Sequence, residues 1–524
     1  MSTTTTDTNP TNHADRWYLL GFVVANLAIK LALVNFNGGS YTDGIIQLQS
    51  ADFPPHNKYF GVGLYPPLYA DLTALLSFLG IGLETAGRVV SAIAGSFALV
   101  PIFYLTRLVF GRDAARIAAL LFTVSPLIMR WSTHAMTDSL FLTLSASSLY
   151  FYVRTWTSLA SESRSNTAID WSLAWASAFG ALATYTRYQG VLLVLPLGLA
   201  LMMFLGRGAI PLRTLLFSLL WAAPAAFAGR RHGVHTGQFL DRTAGSLVPT
   251  LSAYWNTLES FVLISPYYFG YPIALLAIVG MALVSRGSIA VRPFAWIFGS
   301  WAMLLLVVHA AFGSFQYRYM MPALPAVLAL AGHGAHQLYV AAKVRRLYPL
   351  YSAAMLMSLV YLALFATAVL VFQRPTLADQ KQAAAFVKEH AGAGEPVFAN
   401  ERYGNFTELS CVKLSFWSGR KVELLYDAHT GRLRDLPGGS WVVLGNQYGG
   451  NQSVDVLGQQ IRSRYTVQEI QPPFSARIVP LMDDIMVDPL FNQNPMGWVL
   501  RYTPQTFFTR VLHVVGPASG TGGH

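Results

Sequence analysis

Residues 66–80, with the sequence PPLYADLTALLSFLG, decide the architecture of this chain. The segment is apolar, but it is short, opens with two prolines and carries Asp71. A helix needs about 20 residues to cross a bilayer, and shorter apolar segments more often lie in the interface or re-enter. We therefore predict that residues 66–80 stay at one face of a membrane as a juxtamembrane helix.

The composition of the whole chain is that of a polytopic membrane protein. Of its 524 residues 53% are hydrophobic and 12% are charged, and the mean hydropathy is +0.42. Soluble domains carry about 25% charged residues, so these values exclude a soluble globular enzyme, a coiled coil and a disordered protein. The single cysteine, Cys411, excludes an internal disulfide and any Cys-based zinc or iron–sulfur site.

Eleven apolar runs are long enough to be read as spans, and we predict an all-α transmembrane domain over residues 17–373. The runs are 17–36, 89–108, 114–131, 139–155, 171–186, 190–206, 213–229, 266–285, 293–312, 319–341 and 347–372. Residues 1–16 read as a disordered leader, and the first run reads as a signal anchor. Residues 374–524 contain no run that could span.

The basic residues predict the topology. The formal net charge is +11, but the basic residues occur singly or in twos and threes between apolar runs, so we expect no nucleic-acid partner. Clusters near residues 107–116, 154–164, 207–213, 286–292 and 343–346 lie in alternate links, and all can be cytoplasmic together. If residues 66–80 do not span, residues 39–65 and 374–524 face outward from an inner or plasma membrane. If they do span, residues 39–65 lie on the opposite side from residues 130–138; charge barely separates the two cases, and the length of the segment favours the first.

The outward links carry the candidate chemistry. Asp43 and Asp138 can serve as base or orienting group for a hydroxyl. Arg88, Arg187 and Arg318 can hold a phosphate through forked hydrogen bonds. Each has an ordinary alternative: a turn residue for Asp43, a helix N-cap for Asp138, and an interface anchor for each arginine. Together at one membrane face they indicate a lipid-phosphate substrate.

In their order along the chain these motifs resemble the GT-C superfamily, closest in style to glycosyltransferase family 39. That family includes protein O-mannosyltransferases and bacterial aminoarabinose transferases. The motifs are an acidic loop at 41–44, Y-P-P-L at 65–68, E-x-A-x-R at 84–88, H-x-M-x-D at 134–138 and T-R-Y-Q-G at 186–190. The resemblance covers about residues 15–340.

The resemblance implies a GT-C-like fold with about 11 transmembrane helices and juxtamembrane helices in the first outer loop. It implies a glycosyltransferase that moves a sugar from polyprenyl phosphate to a hydroxyl acceptor at the extracytoplasmic face, with inversion and without metal or cofactor. Asp43 would be the general base, Asp138 a second acid, and Arg88, with Arg187 and Arg318, would meet the donor phosphate. The remaining candidate substrate-binding residues are Tyr65, His134, Tyr188 and Gln189.

One departure from the family leaves the acceptor open. Gly44 follows Asp43 where O-mannosyltransferases usually carry a second acid, so a protein, a lipid and a glycan all remain possible acceptors. A polytopic transporter or lipid flippase is the alternative interpretation, and a membrane receptor or assembly protein is a third. A flippase should show repeat symmetry and broken spans at mid-membrane, whereas here the polar groups lie at one face.

Residues 374–524 predict a small extracytoplasmic α/β domain with a structural or acceptor-docking role. Helices are expected at 379–390 and 457–464, and strands at 396–399, 422–426, 441–444 and 466–470. The alternation of helices and strands favours a mostly parallel sheet. Residues 504–515 read as an amphipathic edge segment.

Overall fold

The computed structural model describes residues 13–51, 65–160, 166–205, 212–221, 255, 258–259, 266–284, 290–312, 317–401, 411–427, 430–446, 454–470, 472–478 and 505–518. The link 230–265 between two of the predicted spans and residues 52–64 of the first outer loop lie largely or wholly outside these ranges, as does most of the predicted leader.

The described helices follow the predicted apolar runs for most of the chain. They are α1 His13–Ala32, α2 Thr42–Ala51, α3 Leu68–Ser77, α4 Leu83–Phe97, α5 Leu99–Phe110, α6 Arg112–Thr123, α7 Pro126–Ser132, α8 Asp138–Ala160, α9 Asn166–Thr186, α10 Val194–Leu205, α11 Leu212–Leu219, α12 Tyr271–Ala282, α13 Val291–Phe312, α14 Leu324–Val344, α15 Tyr348–Gln373, α16 Ala378–His390, α17 Val412–Ser418 and α18 Val454–Arg464. Two short 3-10 helices, Tyr188–Leu193 and Tyr317–Ala323, precede α10 and α14.

The chain divides into two compact units. The helical unit comprises Met1–Val34, Tyr65–Tyr69 and Arg88–Val369, and the sheet unit comprises Asn35–Leu64, Ala70–Gly87 and Leu370–His524. The first outer loop, with Asp43, is therefore grouped with the C-terminal segment, a grouping that the sequence pattern did not predict.

Small residues allow close helix packing in the helical unit. α14 packs against α12 and α6. A Cβ added to Gly280 of α12 would lie 1.9 Å from the carbonyl oxygen of Leu330, and one added to Gly334 of α14 would lie 2.7 Å from the amide nitrogen of Gly280. Such glycines let two helix backbones approach, which is how membrane helices commonly associate.

Two of the described helical segments are long and apolar enough to cross a membrane, Leu83–Phe110 and Tyr348–Phe372. The pair Arg112–Thr123 and Pro126–Ser132, bent by 54°, would be a third if it forms one broken span. The count of eleven spans stays a prediction. Helix α3 has 10 residues and rises about 15 Å, roughly half of the hydrocarbon thickness, which agrees with a juxtamembrane helix in residues 66–80.

The first helix begins within the predicted leader, at His13. Asp15 is only 2% exposed, and the guanidinium groups of Arg107, Arg112 and Arg116 lie 3.2, 2.5 and 3.0 Å from its carboxylate. Residues 13–16, which the sequence assigned to the leader, are part of α1, and the ion pairs of Asp15 tie them to α5 and α6.

The described residues of the sheet unit form a mixed six-stranded sheet. Its strands are β1 Val397–Ala399, β2 Val422–Leu424, β3 Trp441–Gly445, β4 Tyr465–Glu469, β5 Phe474–Ile478 and β6 Gln505–Pro517. β1 pairs in parallel with β2 and β3, whereas β6 pairs antiparallel with β3, β4 and β5. The order is β2-β1-β3-β6-β4, with β5 also on β6.

Two predictions for this unit were wrong. The sheet is not mostly parallel, because β6 returns antiparallel and binds three other strands. Residues 504–515 are not an edge segment, because β6 has 13 residues, long enough for β4 and β5 to share one of its sides while β3 occupies the other. The predicted helices at 379–390 and 457–464 lie within α16 and α18.

Candidate functional site

A buried ion pair in the helical unit joins two of the predicted motifs. Helix α9 ends at Thr186, and Arg187 is extended, with φ −148° and ψ 139°, before the 3-10 helix begins at Tyr188. The sharp change of direction requires Gly190, because an added Cβ would lie 2.4 Å from the amide nitrogen of Thr184. Arg187 is thereby placed at the end of the apolar helix.

Asp138, at the start of α8, accepts a hydrogen bond from Arg187 and forms an ion pair with Arg318. Arg187 Nη1 donates to Asp138 Oδ1 at 2.7 Å, and Arg318 Nη1 lies 3.8 Å from Oδ2. The side chains of Asp138 and Arg318 are 3% and 2% exposed, so both charges are buried. Arg187 Nε also donates to Gln189 Oε1 at 2.8 Å, which fixes the plane of the guanidinium.

Aromatic rings separate the arginines of this cluster. The Trp131 ring lies 5.6 Å from the Arg130 guanidinium and 5.8 Å from that of Arg318. The Tyr319 ring lies 5.3 Å from Arg318 and from Arg187. Arginines can stack on aromatic faces while keeping their N–H groups available at the edge. Arg130, Trp131, Asp138, Arg187, Arg318 and Tyr319 form what we call the arginine cluster.

Arg130 is the one arginine of the arginine cluster that was not among the predicted site residues, and the rings of Trp131 and Tyr319 were not among them either. It is fully buried, whereas its position beside an outer link is equally typical of an interface anchor. The signal that could have identified it is its distance from every predicted cytoplasmic cluster, together with its position four residues before His134.

His134 lies beside the arginine cluster as a neutral ring. Its Nδ1–H donates to the carbonyl oxygen of Arg130 at 2.9 Å. Burial, and then the charge of Arg130, lower the pKa of His134 well below its ordinary value, and Arg88 contributes in the same direction. The imidazole therefore offers polar contacts without adding a further positive charge.

Arg88 and Tyr69 are also buried in the helical unit. Arg88 is 3% exposed, and its Nη1 donates to the carbonyl oxygen of Val34, two residues after the end of α1, at 3.2 Å. The Tyr69 and Ser91 hydroxyls lie 3.0 Å apart, and Ser91 donates to the carbonyl oxygen of Met136 at 2.9 Å. These two hydrogen bonds connect the residue that follows Y-P-P-L to the loop that precedes Asp138.

The predicted site residues thus fall into two groups. In the helical unit the structure brings Asp138, Arg187, Gln189 and Arg318 into contact, with Arg88 and His134 buried in the same unit. Tyr65 and Tyr188 also belong to this unit and are half-buried.

Asp43 belongs to the sheet unit. It lies in the first turn of α2 and is half-buried. The loop before α2 is fixed by backbone hydrogen bonds from Gly38 to the carbonyl oxygen of Arg374 at 2.7 Å and from Gly39 to that of Thr376 at 3.1 Å. Asp43 therefore lies on a short helix whose preceding loop is held in the sheet unit by backbone hydrogen bonds.

The arginine cluster can hold an anion with several oxygens. The cluster contains the guanidinium groups of Arg130, Arg187 and Arg318 with the carboxylate of Asp138, and the same unit buries the guanidinium group of Arg88. Guanidinium groups form paired hydrogen bonds to phosphate oxygens, and they do so most strongly where water is excluded. Within the described ranges, no group of three or more His, Cys, Asp or Glu side chains could hold a metal ion.

Comparisons with known proteins agree with this architecture. Residues 65–227 match the family model described as dolichyl-phosphate-mannose-protein mannosyltransferase. No curated protein matches the sequence.

Solved structures of two proteins are among those that share the fold. ArnT from Cupriavidus metallidurans bound to undecaprenyl phosphate is 14% identical, with a TM-score of 0.57 over 82% of this chain and 93% of that chain. The apo state of the same protein is 16% identical, with a TM-score of 0.54 over 95% and 98%. The Archaeoglobus fulgidus oligosaccharyltransferase, in a complex with Zn and sulfate, is 13% identical, with a TM-score of 0.53 over 87% and 72%.

At these identities the similarity establishes the fold. The resemblance seen in the sequence motifs is confirmed, and so is the fold class, a mostly helical membrane architecture with a small C-terminal sheet domain. The family-model match covers the motifs from Tyr65 to Gln189.

Proposed function

We propose that this chain, a member of the GT-C superfamily, is a membrane glycosyltransferase that moves a sugar from a polyprenyl-phosphate donor to a hydroxyl acceptor with inversion. The acceptor is a protein, a lipid or a glycan. The reaction takes place at the extracytoplasmic face of an inner or plasma membrane, where the C-terminal segment also lies.

The observation that carries the proposal is the arginine cluster. Arg130, Arg318 and Asp138 are 0%, 2% and 3% exposed. Buried guanidinium groups bind the oxygens of an anion through charge-assisted hydrogen bonds, which are strongest where water is excluded. A lipid phosphate is an anionic partner that reaches such a site from the bilayer. ArnT, which shares this fold, has been solved with undecaprenyl phosphate bound, which supports the same class of donor here.

In the proposed reaction Asp43 accepts the proton of the acceptor hydroxyl. The hydroxyl oxygen then attacks the anomeric carbon of the sugar, and the bond from that carbon to the phosphate oxygen breaks. The polyprenyl phosphate leaves with the bonding electron pair, and arginines stabilise the charge that develops on it. A positioned general base contributes roughly 10²–10⁴-fold to such a step.

Asp138 has a different role in this scheme. Its carboxylate accepts from Arg187 and lies beside Arg318, so it orients the phosphate-binding groups rather than removing a proton. Gln189 holds the Nε side of Arg187. Tyr65, His134 and Tyr188 contribute the polar and aromatic surface that a sugar requires.

The test is transfer by the purified protein from a panel of polyprenyl-phosphate sugars labelled in the sugar. Asp43→Asn keeps the shape of the side chain but cannot accept a proton, so turnover should fall by at least roughly 10²-fold while donor KM changes little. Asp71→Asn is the matched control, because Asp71 is an exposed acid of the same outer loop, and its turnover should remain that of the wild type.

Two results would contradict the proposal at different levels. Near-wild-type transfer by a folded Asp43→Asn variant would remove Asp43 from the role of base. A wild-type protein that is inert with every lipid-linked sugar would favour the transporter interpretation.

A further inference from the structure

Lys413 is a fully buried cation in the sheet unit. Its ammonium is 0% exposed and lies 2.8 Å from Oε1 of Glu401, which is 5% exposed. Glu401 comes soon after β1 and Lys413 is the second residue of α17, so the ion pair joins the sheet to a helix. Because desolvation of both charges offsets their attraction, a buried ion pair is weak evidence for stability, and stability alone does not explain it.

The same ammonium reaches the first outer loop. Lys413 Nζ donates to Thr42 Oγ1 at 3.5 Å, and Thr42 is the first residue of α2. Helix α17 packs against α2. The next residue along α2 is Asp43, so the buried lysine contacts the turn that carries the proposed base.

The backbone before Lys413 is strained in a way that fixes its direction. Cys411 has φ +61°, a left-handed conformation that costs a non-glycine residue about 1–2 kcal/mol. Its amide donates to the carbonyl oxygen of Glu401 at 3.2 Å, and its Sγ donates to the same oxygen at 3.5 Å. These bonds hold the start of α17 against the segment after β1, so Lys413 has one defined approach to Glu401.

We propose that Lys413 is a positioning residue for Asp43, anchored by Glu401. This inference rests on the proposed function, in which Asp43 is the base. Lys413 does not touch the substrate. It fixes the first turn of α2 relative to the sheet, so the C-terminal segment is a support for the reacting loop and not only an appended domain.

The test uses the double variant Lys413→Met/Glu401→Gln in the full-length protein, because removing both charges avoids leaving either one buried alone. Hydrogen exchange is measured on peptides covering α2 and, as an internal reference, on peptides covering β3. We expect exchange in α2 to rise by at least about tenfold while β3 is unchanged. We also expect kcat to fall by about tenfold or more with donor KM within about twofold, because the base is misplaced rather than the donor site.

Lys421→Met/Glu423→Gln is the matched control. Lys421 and Glu423 form an ion pair of 2.7 Å in the same unit, but their side chains are 63% and 38% exposed. Both readouts should remain those of the wild type.

The outcomes separate this proposal from the function on which it rests. Wild-type exchange in α2, or wild-type kcat, in Lys413→Met/Glu401→Gln would overturn the positioning role. If β3 also exchanges faster, Thr42→Val decides, since it removes only the hydroxyl contact and should still loosen α2. A wild-type protein without transferase activity would instead contradict the function, whereas the exchange data would still decide whether Lys413 fixes α2.

Discussion

Removing the guanidinium of Arg187 tests the arginine cluster most directly. Arg187→Gln leaves Asp138, 3% exposed, with Arg318 at 3.8 Å from one carboxylate oxygen. Removing one partner of a buried ion pair costs about 3–5 kcal/mol. Arg187 is 15% exposed and Arg318 keeps part of the attraction, so we expect the free energy of unfolding to fall by about 2–3 kcal/mol.

Arg187→Lys should cost less. The ammonium keeps the charge opposite Asp138, but it cannot also make the Nε bond to Gln189, whose length is 2.8 Å in the structure. Losing that hydrogen bond should lower the free energy of unfolding by about 1 kcal/mol. In a double-mutant cycle with Asp138→Asn, the coupling energy between positions 138 and 187 should be about 1.5–3 kcal/mol.

The assay is equilibrium unfolding of the purified protein in mixed detergent, followed by circular dichroism and tryptophan fluorescence, with refolding checked. Arg213→Gln is the control, since Arg213 is exposed and stacks on Trp171 at 4.3 Å, and it should cost no more than about 1 kcal/mol. A coupling energy below about 0.5 kcal/mol between positions 138 and 187 would refute the reasoning that the pair is a buried, mutually dependent unit.

Two further predictions concern His134 and Lys30, two buried ionisable residues of the helical unit. His134 has a pKa well below its ordinary value because it is buried beside Arg130, so the unfolded chain binds a proton first as the pH falls. Its contribution to stability is complete above about pH 6.5 and is lost at lower pH by at most about 1.4 kcal/mol per unit. His134→Gln should remove this component from the pH dependence of unfolding, and parallel curves for the two proteins would contradict it. Lys30 is 0% exposed. Its Nζ donates to the carbonyl oxygen of Gly95 at 2.9 Å and lies 5.2 Å from the centroid of the Phe122 ring. Lys30→Met keeps the volume and removes a buried charge, so stability should be equal or higher. Lys30→Ala should lose about 2 kcal/mol or more through the cavity; equal losses in the same unfolding assay would show that the charge itself is needed.

Much of the candidate site could be predicted because membrane sequences make polar residues conspicuous. Asp138, Arg187 and Arg318 lie where apolar runs end, and the alternation of basic clusters assigns those ends to one face. Their contact at 2.7 and 3.8 Å then follows from helices that start or end at the same level. The fold was predicted from the order of the motifs along the chain, which is more specific than the presence of any one residue type.

Arg130 could not be selected in the same way. Its complete burial depends on the short helix Pro126–Ser132, which is bent by 54° from Arg112–Thr123. Sequence periodicity over so few residues does not define a bend. A buried guanidinium stacked on Trp131 and an interface anchor have the same local sequence, and tertiary packing alone separates them.

The sheet unit shows the other limit of sequence reasoning. Short apolar strands such as Trp441–Gly445 were predictable because every side chain in them is buried. The central position of Gln505–Pro517 was not, because it depends on pairings with strands that are far away along the chain. Strand partners chosen over long separations leave no local signal that distinguishes a central strand from an edge one.

The same limitation explains why the first outer loop was separated from the C-terminal segment in the sequence-based division at residue 373. Gly38 and Arg374 are hydrogen-bonded at 2.7 Å, yet they lie far apart along the chain, and neither has a pattern that points to the other. A chain that ended at 373 would lack the acceptors at Arg374 and Thr376, and it would also lack the ion pair between Glu401 and Lys413. Since Asp43 lies on a helix that contacts that pair, the C-terminal segment belongs to the support of the proposed base.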